Sequence, residues 1–89
     1  MVTADPALDP DASGAFTEID TFNGQLRYKV DGKNFWITFD TDTNTYYIAD
    51  NPDFNEATLS WFNDFEGTEV EGEYSPTAPA VNRATVTLD

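Results

Sequence analysis

Two turn-forming dipeptides constrain the fold of this chain more than any other feature. Asn23-Gly24 and Asp31-Gly32 favour the left-handed backbone of two-residue type I′ hairpin turns. Short runs of apolar and β-branched residues flank both pairs, and apolar positions alternate with polar ones instead of recurring every three or four residues. Two hairpins in succession predict an antiparallel β-meander.

The same alternation extends through most of the chain and predicts up to seven strands. Residues 40–44 read as a polar turn, and residues 75–79 read as the linker before the last strand. Residues 57–62 could form a helical turn or a strand, and their β-branched and aromatic side chains favour the strand. The predicted strands are residues 16–22, 25–30, 33–39, 45–49, 57–62, 70–74 and 81–88.

These strands predict an all-β domain over residues 14–89, a small antiparallel meander that forms a barrel or sandwich of six to seven strands. Seven Phe, four Tyr and two Trp supply large apolar areas for its core. The expected core residues are Phe16, Leu26, Tyr28, Phe35, Ile37, Phe39, Ile48, Val86 and Leu88.

Residues 1–13 differ from the rest in composition. They contain two Asp-Pro pairs and no aromatic residue, and proline favours extended backbone in the residue before it. We therefore expect an extended acidic arm outside the domain, which adds backbone to a neighbouring protein. The expected contact residues are Asp5, Pro6, Ala7, Leu8, Asp9 and Pro10.

Charge and composition exclude several classes of function. Seventeen acidic residues against four basic ones give a net charge of −13, which opposes direct binding to nucleic acid or to an anionic membrane. The sequence contains no Cys and no His, so thiol and imidazole chemistry are missing. The beginning of the chain has neither the basic nor the apolar part of a signal peptide. We expect a non-enzymatic protein in the cytoplasm or in a virion.

One segment follows the order of an EF-hand calcium loop. Between Asp9 and Asp20, oxygen-bearing residues occupy loop positions one, three, five, nine and twelve, with glycine at position six. The final position is Asp instead of the longer Glu, and prolines and a hairpin turn stand where the flanking helices would be. A proline-containing acidic arm explains the segment better, and calcium binding stays a third hypothesis. The calcium ligands in that hypothesis are Asp9, Asp11, Ser13, Thr17 and Asp20.

Two groups of side chains are candidates for surface contacts. Trp36, Tyr47 and Trp61 are expected to face outward, as a second core layer or as a partner-binding patch. Glu69, Glu71 and Glu73 alternate along the chain and should line one face. This acidic stripe either keeps a strand face solvated or copies the charge of a nucleic acid to block a protein that binds DNA or RNA.

The middle of the chain also shows a resemblance, which covers residues 22–50. The pattern Phe22-Asn23-Gly24-Gln25, Tyr28, Asp31-Gly32-Lys33, Phe35-Trp36-Ile37 and Tyr46-Tyr47-Ile48-Ala49-Asp50 resembles short aromatic-rich β modules of phage and marine surface proteins. The resemblance implies a display or attachment module.

The sequence therefore predicts a small accessory or decoration subunit of a phage or virus-like particle. We expect a homo-oligomer, or a subunit bound to a capsid-like lattice, that docks through its arm without a cofactor. The alternative is an acidic inhibitor that mimics nucleic acid.

Overall fold

The computed structural model describes residues 2–5, 14–78, 80 and 82–88, with side chains described from residue 14 to residue 87 within those ranges. Its regular structure is short β-strands and one 3₁₀ turn at Phe54–Glu56, so the predicted all-β class is confirmed. Within the described residues there is no helix that could cross a membrane bilayer. The strands are β1 (Val2–Asp5), β2 (Gly14–Phe22), β3 (Gln25–Val30), β4 (Trp36–Asp40), β5 (Thr45–Ala49), β6 (Ser60–Asn63), β7 (Gly72–Thr77) and β8 (Ala84–Leu88).

The sheet has the simplest antiparallel topology, since strands that follow each other in the chain also lie side by side. Strands β2 to β8 form one curved sheet of seven strands. Strand β1 pairs with both β2 and β8 and closes this sheet into a barrel. Closure gives each described strand two neighbours, which removes the open edges on which small β proteins aggregate.

The first strand differs from the sequence analysis, which placed residues 1–13 outside the domain. Val2 pairs with Phe16 of β2 and with Leu88 of β8, so Val2–Asp5 belongs to the barrel. The physical reason is that β2 and β8 would otherwise each present an unpaired edge, and Val2–Asp5 contains no proline that would remove a ladder donor. Residues 6–13 lie outside the described part of the chain.

The first predicted hairpin turn is confirmed. Asn23 and Gly24 connect β2 to β3 with φ angles of 55° and 82°, the positive values that a type I′ turn requires. The Asn23 side-chain amide donates to the Phe39 carbonyl at 2.9 Å and ties the hairpin to β4. In β2 the register shifts between Glu18 and Asp20, which is a β-bulge, and the Ile19 side chain at this position is 48% exposed.

The second predicted turn is wrong in its length. Gly32 has a φ of 76°, but Asp31 does not adopt positive φ, so a two-residue type I′ turn does not form. The chain closes a longer loop instead, in which the Val30 amide donates to the Phe35 carbonyl at 3.2 Å. Strand β4 therefore begins three residues later than predicted, at Trp36.

The strand predicted at residues 57–62 begins only at Ser60. The Asp50 carboxylate accepts hydrogen bonds from the backbone amides of Thr58 and Leu59 at 2.8 and 3.2 Å, which engages both amides outside a strand ladder. The preceding residues form the 3₁₀ turn, in which the Asp53 carboxylate accepts a hydrogen bond from the Asn55 amide at 2.9 Å. The 3₁₀ turn precedes residues 57–62, so the helical-turn alternative for those residues is wrong and the strand prediction holds from Ser60 onward.

The last two strands also have shifted boundaries. Residues 75–77, predicted as part of a linker, extend β7 and pair with β6 as far as Ser60. Proline is tolerated in a strand where its nitrogen need not donate, and Pro76 lies opposite Trp61 in this ladder. Strand β8 begins at Ala84 instead of residue 81.

Aromatic and β-branched side chains fill the barrel. Six of the nine predicted core residues are buried, and Phe35 packs against them. Leu26 is the exception at 40% exposure, because it lies next to the β2–β3 turn where the hairpin extends beyond the core. The side chain of Leu88 lies outside the described part of the structure. The buried cluster is Phe16, Tyr28, Val30, Ile37, Phe39, Tyr46, Ile48, Trp61, Val70, Tyr74, Ala80, Ala84 and Val86.

Two buried tyrosines satisfy their hydroxyls on backbone carbonyls. The Tyr46 hydroxyl donates to the Leu26 carbonyl at 2.9 Å, and the Tyr74 hydroxyl donates to the Val70 carbonyl at 2.7 Å. Burial raises the pKa of Tyr46 to about 12, with a smaller contribution from the nearby Tyr28. These bonds let the barrel hold large rings without leaving polar atoms unpaired.

Two isoleucines test this description of the core. Ile48→Ala should lower the free energy of unfolding by about 2–5 kcal/mol, because Ile48 is fully buried and its truncation leaves a cavity. Ile19→Ala makes the same chemical change at the exposed bulge and should change it by about 0.5 kcal/mol or less. Urea unfolding followed by tryptophan fluorescence measures both, and equal losses in the two variants would contradict the assigned barrel interior.

Candidate functional site

Trp61, one of the three aromatics predicted to face outward, lies inside the barrel. It is fully buried, and its indole N–H donates to the Asn82 carbonyl at 2.9 Å. Its ring meets the Phe35 ring edge to face with centroids 6.0 Å apart. The outward prediction is wrong because Trp61 pairs with Ile48, which also points inward, so the register of β6 on β5 sets its direction.

Tyr47 does lie on the outer face, but a segment of the same chain covers it. The ring of Phe54 in the 3₁₀ turn stacks on the Tyr47 ring with centroids 3.7 Å apart, and only 8% of Tyr47 is exposed. The Tyr47 hydroxyl also shares a hydrogen bond of 3.0 Å with the Thr43 hydroxyl. Of the two interpretations, the second core layer holds for Tyr47.

Trp36 is the member of the predicted patch that stays partly exposed. The Lys29 ammonium lies 5.6 Å from the centre of its ring, within the range of a cation–π interaction. That ammonium also donates to the carbonyls of Val30 and Lys33 at 3.2 and 2.8 Å. The three predicted aromatics therefore do not form one surface.

The residues of the calcium hypothesis fall in two parts of the chain. Thr17 and Asp20 lie on strand β2, where extended backbone draws successive residues apart instead of curling them around an ion. Arg27 contacts both carboxylate oxygens of Asp20, and this hydrogen bonding lowers the Asp20 pKa. The other three residues, Asp9, Asp11 and Ser13, lie outside the described part. Among the described residues, no three acidic side chains are grouped to hold a metal ion.

The acidic stripe is exposed as the alternation suggested. Glu69, Glu71 and Glu73 all point to solvent, and the intervening Val70 is buried. The Glu73 carboxylate accepts a hydrogen bond from the Thr85 hydroxyl at 2.9 Å. The first two glutamates belong to the irregular segment before β7, so the stripe is mostly part of a loop.

This segment, the 64–71 loop, is fixed from beneath by one buried side chain. Asn63 ends β6 and is only 3% exposed. Its side-chain N–H groups donate to the carbonyls of Glu69 and Glu71 at 3.0 and 3.2 Å, and its side-chain oxygen accepts from the Phe65 amide at 3.0 Å. A single carboxamide therefore connects the beginning of the loop to its end.

Further backbone contacts hold the same loop to the barrel. The Asp64 amide donates to the Glu73 carbonyl at 2.9 Å, and the Gly67 amide donates to the Asn44 carbonyl at 2.7 Å. Val70 is 93% buried and packs with the core cluster. A loop with this many backbone hydrogen bonds and an apolar anchor should open rarely.

A cluster of three polar side chains stands at the base of the loop. The Asp64 carboxylate accepts hydrogen bonds from the Ser75 hydroxyl at 2.6 Å and from the Arg83 guanidinium. The Ser75 hydrogen bond, followed by the Arg83 contact, lowers the Asp64 pKa. Asp64 therefore remains ionised at neutral pH while its partners fix its orientation.

Phe65 is the residue that the sequence analysis did not identify. It is 74% exposed, the largest exposed fraction among the described large apolar side chains. Four acidic residues share its loop, namely Asp64, Glu66, Glu69 and Glu71. Aromatic side chains are frequent anchors of protein interfaces, so this exposed ring on a fixed, acidic loop is a candidate contact residue. The sequence feature that could have identified Phe65 is its position between two acidic residues in a glycine-containing segment.

Comparisons of this chain with protein-family models, with curated proteins and with solved structures found no match. The resemblance of residues 22–50 to phage and marine surface modules therefore stays a prediction from the sequence. The 64–71 loop is the candidate functional site on physical grounds alone.

The role of Asn63 can be tested by amide hydrogen exchange. Asn63→Ala should accelerate exchange at the Phe65 amide and lower the free energy of unfolding by about 1–3 kcal/mol, because buried loop groups lose their partner. Asn55→Ala removes a carboxamide from an exposed position outside the loop and serves as the matched control. Equal Phe65 exchange rates in the two variants would show that Asn63 does not fix the loop.

Proposed function

We propose that this protein is a non-enzymatic interaction module that binds a protein partner through the 64–71 loop. The observation that carries the proposal is the 74% exposed ring of Phe65 on a loop anchored by the buried Asn63. Aromatic anchors contribute much of the binding energy of protein interfaces. A loop that is already ordered loses little conformational entropy on binding, which favours affinity.

The charges around the loop define the kind of partner. Both arginines of the chain contact carboxylates of the domain itself, Arg27 on Asp20 and Arg83 on Asp64. The net charge of −13 is therefore displayed with little positive charge on the surface to oppose it. A partner with an apolar pocket rimmed by basic residues complements both the ring and the charge.

The barrel topology supports a contact made by side chains. Each described strand already has two neighbours, so the described sheet has no open edge to which a partner strand could be added. Asp5, the first residue expected to contact a neighbour, pairs with Thr85 of the same chain. The rest of the expected docking arm, Pro6, Ala7, Leu8, Asp9 and Pro10, lies outside the described residues.

A small accessory or decoration subunit of a phage or virus-like particle is the form of this function that the sequence favours. Such a subunit needs a stable, self-contained domain and a contact surface, and the closed barrel and its fixed loop would meet both needs. The composition supports a role without catalysis, because the chain has neither His nor Cys to activate a nucleophile.

A second candidate function is the inhibition of a DNA- or RNA-binding protein by nucleic-acid mimicry. The observation that favours it is the outward direction of Glu69, Glu71 and Glu73 in alternation with the buried Val70. In that case the carboxylates would supply the affinity, and Phe65 would be incidental. Binding would then weaken steeply as salt is added.

Site-specific photo-cross-linking tests the proposal in the cells or particles that contain the protein. A benzophenone analogue of phenylalanine at position 65 should form a discrete covalent adduct with another protein chain. The same analogue at Leu26, which is 40% exposed on the β2–β3 hairpin, is the control and should form none.

Salt separates the two candidate functions in the same experiment. An adduct at position 65 that persists in high salt supports the aromatic anchor, whereas an adduct that is lost as salt rises supports mimicry. No adduct at position 65 under either condition, or equal adducts at positions 65 and 26, would contradict binding through the loop.

A further inference from the structure

A second surface feature, an open cleft, lies on the outer side of strands β2 and β3. Its volume is about 440 Å³, which falls within the range of pockets that accept small ligands and is ample for one aromatic side chain. Ile19 lies on the same outer face of β2 as Ala15 and Thr17, because alternate residues of a strand share a face, and it is 48% exposed. The residues that line the cleft are Ala15, Thr17, Ile19, Lys29, Val30 and Asp31.

The cleft combines apolar side chains with one fixed positive charge. Ala15 and Ile19 are exposed and supply apolar surface, whereas the Val30 side chain is 3% exposed and belongs to the core cluster. The Lys29 ammonium is held in place by two backbone carbonyls, which carry no net charge, and by the ring of Trp36. The chain has four basic residues against seventeen acidic ones, so most of its surface repels an acidic group. The Lys29 side of the cleft would instead attract one.

The cleft and the 64–71 loop lie on opposite sides of the barrel. The loop connects β6 to β7, and the cleft lies on β2 and β3, four strands away in the closed order of eight. The loop of one molecule therefore cannot reach its own cleft, but it can reach the cleft of a second molecule.

We propose that the 64–71 loop docks into the β2–β3 cleft of a second copy of this chain. The Phe65 ring enters beside Ile19, and the neighbouring acidic residue Glu66 lies toward Lys29. Asp31 also lines the cleft and repels carboxylates, so the loop docks with its acidic residues on the lysine side. This inference rests on the proposed function and names one partner for the same loop.

The geometry determines the kind of assembly that forms. Each copy contributes a loop to one neighbour and a cleft to the other, which is a head-to-tail contact that builds rings or chains. Every copy also carries a charge of −13, which repels its neighbours at long range. Moderate salt screens this repulsion more than it weakens the apolar contact, so association should strengthen when salt is raised from a low level.

Sedimentation velocity of the purified, full-length protein tests the contact. The wild type should associate as its concentration rises. Phe65→Ala and Ile19→Glu should each weaken self-association by about thirtyfold or more, since each removes one half of the contact. Phe62→Ala truncates another exposed phenylalanine, outside the loop and the cleft, and should associate like the wild type.

An equimolar mixture of the two defective variants gives the sharpest result. Ile19→Glu keeps an intact loop, and Phe65→Ala keeps an intact cleft, so the mixture should form a dimer of one copy of each and nothing larger. A wild type that stays monomeric, a mixture that forms no dimer, or a Phe62→Ala variant as defective as Phe65→Ala would overturn the inference. A monomeric wild type together with an adduct at position 65 to a different protein would overturn this inference while leaving the proposed function in place.

Discussion

The hydrogen bonds of the Asn63 carboxamide connect the core of this protein to its candidate surface. Trp61 faces inward because it pairs with Ile48, and the alternation of β6 then places Asn63 inside the end of the barrel. A polar group buried there must find partners, since an unpaired amide costs about 1–3 kcal/mol. The groups within reach are the backbone of the 64–71 loop, and these bonds hold Phe65 in the solvent. The burial of Trp61 and the exposure of Phe65 are thus both consequences of the register in which β6 pairs with β5.

The fold shows where the few basic residues of this acidic chain lie and what they contact. Arg27 and Arg83 each contact a carboxylate of the same domain, so they stabilise local geometry instead of recruiting an anionic partner. Lys29 is different because the bonds that hold it end on carbonyl oxygens beside an open cleft. The surface therefore carries an acidic loop with an aromatic anchor on one side and an apolar cleft with a lysine on the other. The Lys29 side of the cleft is opposite in charge to the loop, and both surfaces occur on one small chain.

Local patterns in the sequence predict the sheet well and the candidate site poorly. The alternation and the Asn23-Gly24 turn define β2 and β3 because both signals act over a few residues. The inward direction of Trp61 could not be read in the same way, since it depends on pairing with a strand more than ten residues away. The role of Asn63 was also hidden, because a loop sequence does not show that the carbonyls of Glu69 and Glu71 return to the end of β6. The outer position of Tyr47 was predicted, whereas its cover by Phe54 depends on where the 3₁₀ turn folds back.

The proposed binding role requires that the 64–71 loop is ordered before it meets a partner. Backbone ¹⁵N relaxation of the isolated wild-type protein, recorded at a concentration low enough to keep it monomeric, measures this order. We expect order parameters near 0.85 for the amides of Phe65 and Gly67, about the same as those of the flanking strands. Order parameters below about 0.6 at these two positions would show a flexible loop and would contradict a preformed binding loop.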